Sequence, residues 1–143
     1  NPKMGEWIDQ TLEADFAEKG ATDATAPYRD GSRLVQAEGG TYLRPTIAHC
    51  ESMDHVLSNR EFLCPYASVV EVPQADMLRS IGPTLVVTAI TGDESFKNQL
   101  LAASNVERLN IGAISTMKIS WDQPHEGNMF EFLYKRRSIG MAA

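Results

Sequence analysis

The chain has 143 residues, 43% of them apolar, and a formal net charge of −6. That length suits a single domain over residues 1–143 with a buried core, and no apolar run approaches the ~18 residues of a membrane-crossing helix. Acid is concentrated at the front, with 11 acidic and 6 basic groups in residues 1–64 against 8 and 7 in the rest. The only basic cluster is Lys135-Arg136-Arg137, so neither a membrane nor a nucleic-acid partner is expected.

Ile8, Leu12 and Phe16 recur every four residues, with Glu6, Asp9, Glu13 and Glu18 on the other faces. This pattern predicts an amphipathic helix stopped at Gly20. The following stretch, ATDATAPYRDGSRLVQAEGG, is rich in turn formers and reads as loop with room for one short strand. TYLRPTIAHC reads as extended, with Pro45 at a strand start or edge. SMDHVLSN is a helical turn or two.

YASVVEV is a strand by its β-branched content, and QADMLRSI is a short helix stopped by Gly82-Pro83. Thr84 to Ile90 is apolar nearly throughout, as in a strand covered on both faces. In DESFKNQLLAAS, Phe96, Leu100 and Ala103 share a helical face and Asp93 can cap the N-terminus. VERLNIGAIS gives a further short strand and loop. This alternation predicts an α/β fold, an open and mostly parallel sheet flanked by helices. In the tail, Phe130, Phe132 and Tyr134 alternate against Met129 and Leu133. A terminal strand apolar on both faces needs a partner, so residues 127–137 are expected to form an arm between subunits or domains.

Cys50 and Cys64 are the only cysteines. NPKMGEWIDQ has no basic-then-apolar leader, so reduced thiols and a cytoplasmic location are expected. Cys64, between Leu63 and Pro65, has three readings: nucleophile, metal ligand or packing residue. A nucleophile needs a base and a lowered pKa, for which only His49, His55 and His125 are available. The spacing His-Cys-x₄-His-x₈-Cys over His49, Cys50, His55 and Cys64 is unlike structural zinc sites, and alternation along a strand would point His49 and Cys50 to opposite faces. No metal is expected, and an inert packed thiol is the favoured reading of Cys64. In SWDQPHEGN, Asp122, His125 and Glu126 could line a substrate entrance, but a packed Trp121 with solvated neighbours is favoured.

YLRPTI, followed by NREFLCPYASVVEV, resembles the aldehyde dehydrogenase superfamily. Its members carry G-Y-F-x-x-P-T-I and then E-E-I-F-G-P-V-x-x-V; here the second motif reads Arg60-Glu61-Phe62-Leu63-Cys64-Pro65-Tyr66. The order that follows is also similar: short helix, apolar strand, T-x-D turn, helix, a strand ending x-x-N-I-G, and a terminal arm pairing between subunits. The resemblance spans roughly residues 5–137. The family's G-Q-x-C nucleophile and E-L-G-G general-base motifs do not occur in this chain, and SWDQPHEGN stands near the place of P-F-G-G-x-K-x-S-G. The resemblance therefore implies the C-terminal part of a divergent aldehyde dehydrogenase catalytic domain, with no catalytic residue of its own.

It also implies that Glu61 holds the hydroxyls of the nicotinamide ribose of NAD or NADP, as a carboxylate accepting two hydrogen bonds can. Leu63 stands where the family has a phenylalanine beside the nicotinamide, and Cys64 takes the place of a glycine. The implied activity is oxidation of an aldehyde substrate to a carboxylic acid by a homo-oligomer assembled through the C-terminal strand. The alternative, from another class, is a non-catalytic assembly domain.

Overall fold

The computed structural model describes residues 1–119 and 138–142. The chain forms two compact units, Asn1–Val72 and Pro73–Ala143. Both mix helix and strand, and among the described residues the strands fall into three sheets, two of them with parallel pairs. The expected arm at 127–137 and the SWDQPHEGN loop lie outside the described residues.

In the first unit, helix α1 (Pro2–Phe16) starts six residues before the first apolar position of the repeat, because Asn1 caps it and proline suits the first turn. The Asn1 side chain accepts from the Lys3 amide at 3.1 Å. Its inner face buries Ile8, Leu12 and Asp15. Gly20, at φ 101°, turns the chain into β1 (Ala21–Asp23), which pairs antiparallel with β4 (Thr46–Cys50).

Between them lies a hairpin that the composition concealed. Strands β2 (Leu34–Ala37) and β3 (Gly40–Leu43) close through the two-residue turn Glu38-Gly39, with Gly39 at φ 93°. β5 (Tyr66–Val70) joins β4 in parallel, Thr46 opposite Tyr66. On β4, Thr46, Ala48 and Cys50 are buried while Ile47 and His49 are exposed. The core gathers Ile8, Leu12, Ala48, Cys50 and Leu57.

The second unit is built on a β-α-β crossover. Helix α2 (Gln74–Ile81) leads to β6 (Thr84–Ala89), α3 (Glu94–Ala102) and β7 (Val106–Ile111); β8 (Ser138–Met141) adds on the far side of β7, all pairs parallel. Asp93 caps α3 as expected, accepting from the amides of Ser95 and Phe96 at 2.8 and 3.2 Å. Asn105 closes the end of α2 by donating to the carbonyls of Leu78 and Gly82. The core is Ala89, Phe96, Leu100, Val106, Leu109 and Ile111. β6 is less enclosed than its composition suggests: Leu85 is exposed, and Ile90 lies past the strand end and is exposed too.

Candidate functional site

The segment implicated by the sequence, Arg60 to Pro65, runs between a single 3₁₀ turn (Val56–Asn59) and the start of β5. The turn is fixed from both sides. His55 Nδ1 accepts from the Leu57 amide at 3.1 Å, which assigns the proton of the neutral ring to Nε2. Ser58 Oγ donates to the carbonyls of Met53 and His55. From β5, Tyr66 Oη donates to the Leu57 carbonyl at 2.6 Å and Ser68 Oγ to the Ser58 carbonyl at 3.1 Å. Burial and the surrounding charges raise the Tyr66 phenol to about 12, so it stays a donor at neutral pH.

Between these anchors exposure alternates along the segment, although Leu63, Cys64 and Pro65 bend and the strand begins only at Tyr66. Phe62 and Cys64 turn inward and pack against the core, whereas Glu61, Leu63 and Pro65 are exposed. The Phe62 ring lies edge-on to Trp7 of α1, with centroids 6.5 Å apart, and to Tyr66, with centroids 5.1 Å apart. Leu63 is 92% exposed. The two residues assigned to the cofactor by resemblance therefore share one outward face, and Arg60 is held by an ion pair to Asp15 on α1.

Cys64 is a packing residue here. Burial pushes its thiol up, and the Arg33 guanidinium only partly offsets this, so the thiolate is disfavoured. His49 and Cys50 do point to opposite faces of β4. No group of three or more His, Cys, Asp or Glu side chains able to hold a metal occurs among the described residues.

A cleft of about 430 Å³ that the sequence did not announce is lined by Thr25, Tyr28, Arg29, Asp30, Arg44 and Pro45. Pro45 and Pro65 precede the paired residues Thr46 and Tyr66, so the cleft and the outward face lie at the same end of the parallel pair. Its arginines are engaged by protein: Arg29 pairs with Asp23 and donates to Thr25, Thr46 and the Pro45 carbonyl, and Arg44 donates to the Asp30 carbonyl. These bonds join residues up to 17 positions apart, so the sequence carried no local signal for the cleft.

The chain matches no protein-family model and no curated protein. No helix among the described residues is long and apolar enough to cross a membrane.

Proposed function

We propose that this chain is the C-terminal part of the catalytic domain of an NAD(P)-dependent aldehyde dehydrogenase, oxidising an aldehyde to a carboxylic acid, with its C-terminal strand serving assembly of a homo-oligomer. The reading rests on the resemblance of YLRPTI and NREFLCPYASVVEV to the family's motifs. The structural observation that supports it is the shared outward face of Glu61 and Leu63, with Phe62 and Cys64 packed behind. The bound cofactor supplies the hydride acceptor. Glu61 accepts hydrogen bonds from its ribose hydroxyls, and Leu63 supplies an apolar wall to the nicotinamide. The nucleophilic cysteine and the general base belong to motifs outside these 143 residues.

The test uses the complete gene product, assayed for aldehyde-dependent formation of NAD(P)H. Glu61→Gln removes a charged acceptor worth roughly 1.5 kcal/mol, a rise of about tenfold in the cofactor KM. Absence of NAD(P)H across aliphatic and aromatic aldehydes, with no cofactor binding by calorimetry, overturns the proposal and leaves a non-catalytic assembly domain.

A further inference from the structure

Asp15 is out of place by the logic of its own helix. The buried stripe of α1 runs Ile8, Leu12, Asp15, so a carboxylate occupies a position that the repeat assigns to an apolar side chain. Burying a carboxylate is costly unless it is paired. Asp15, 8% exposed, accepts from Arg60 through both oxygens, Nε to Oδ2 at 3.0 Å and Nη2 to Oδ1 at 3.4 Å, across 45 residues of sequence. The guanidinium fork fixes direction as well as distance.

Arg60 is the residue immediately before Glu61. Along this short connection Glu61 and Leu63 are exposed while Phe62 and Cys64 pack against the core, so a rotation of the connection would turn the first pair inward and the second outward. The Phe62–Trp7 contact holds the segment in the middle, but an aromatic edge contact tolerates sliding in a way that a two-point ion pair does not.

We infer that Asp15 is a positioning residue for the cofactor site: through Arg60 it anchors the start of the connection that presents Glu61 and Leu63. This rests on the functional reading above, and it makes α1, more than forty residues upstream, part of the machinery that recognises the cofactor.

Asp15→Asn is nearly isosteric and keeps an acceptor while removing the charge, so the fold survives; Asp15→Glu is the conservative rescue. Both are made in the complete gene product and two quantities are read. The first is the alkylation rate of Cys64 followed by peptide mass spectrometry, with the buried Cys50 as internal reference. The second is the KM for NAD(P) against the KM for the aldehyde. The expected result for Asp15→Asn is Cys64 alkylation at least about fivefold faster relative to Cys50, cofactor KM raised about tenfold, and aldehyde KM unchanged, with Asp15→Glu recovering most of both losses.

Faster alkylation with an unmoved cofactor KM overturns the inference and leaves the pair a stability device. Unchanged alkylation overturns it as well, since the orientation of the connection then does not depend on Asp15. A wild-type protein with no saturable NAD(P) dependence overturns the functional reading and the role of Asp15 in it; wild-type saturation with an unmoved variant overturns the role of Asp15 alone.

Discussion

The guanidinium of Arg33 meets the carboxylate of Asp23 at 3.1 Å, with only 4% and 11% of the two side chains exposed. Arg33 also reaches Asp9 at 2.9 Å, Glu13 at 3.0 Å and Thr46 at 3.0 Å, so a single arginine ties α1, β1 and β4 together. Asp23 is shared in turn with Arg29.

That sharing gives a pH dependence. Burial pushes the Asp23 carboxyl up, but hydrogen bonds from Thr25, Arg29 and Arg33 outweigh it and bring the pKa to about 2, below the ordinary 3.8. A carboxyl depressed in the folded state stabilises it fully above its unfolded pKa, and the stabilisation drains away as pH falls toward the folded value. About 2 kcal/mol is expected to be lost between about pH 5 and about pH 2. Urea unfolding followed across that range checks it. Asp23→Asn should lower stability by about 2–3 kcal/mol at neutral pH and flatten the acid limb; an acid limb unchanged in the variant would mean that other carboxylates carry it.

Leu12 is fully buried on the inner face of α1. Leu12→Ala should cost about 2–5 kcal/mol through lost burial and the cavity left behind. The midpoint of chemical denaturation is the measure, and a loss below about 1 kcal/mol would show that α1 contributes little to the core.

His55 caps the 3₁₀ turn with Nδ1, yet its Nε2 is buried without a hydrogen-bond partner among the described residues. Asparagine can supply the same acceptor to the Leu57 amide from a shorter side chain. His55→Asn should therefore lie within about 1 kcal/mol of wild type, while His55→Ala should lose about 1 kcal/mol or more. Equal losses in the two variants would assign the role of His55 to packing.

Gly112 has φ 97°, and a Cβ added there would sit 2.6 Å from the Cβ of Ala142. Gly112→Ala thus meets backbone strain and a clash together, for about 1–3 kcal/mol. The loss should fall on the junction of β7 and β8, where the Ala142 amide donates to the Ile111 carbonyl at 2.8 Å. Hydrogen exchange at Ala142 should accelerate in the variant, and unchanged protection would contradict the clash.

The elements written in periodicity were legible. Ile8, Leu12 and Phe16 gave α1, Phe96 and Leu100 gave α3, and the alternation of strand with helix gave the parallel pairing of β6 with β7. The β2–β3 hairpin was not legible, because four-residue strands joined by Glu-Gly carry neither a long alternating run nor the Asn-Gly or Asp-Gly signal of a tight turn. The outward pair Glu61 and Leu63 was named through resemblance alone; its exposure was not legible in the sequence, because the connection bends rather than running as a strand. The Asp15–Arg60 and Arg33 networks were invisible for a different reason: their members are 10 to 45 residues apart, and each reads singly as a solvated charge.

The position of β8 has an entropic meaning. β7 ends at Ile111 and β8 begins at Ser138, so 26 residues (112–137) separate two strands that lie side by side. The β6-α3-β7 crossover closes over a much shorter stretch of chain, and loop closure grows more costly with length. β8 therefore closes onto its sheet at a slightly greater chain-entropy cost than the β6-α3-β7 crossover does. Without β8, the main-chain donors and acceptors of Arg108 to Ile111 form a vacant edge beside buried Leu109, open to pairing with a strand from another molecule.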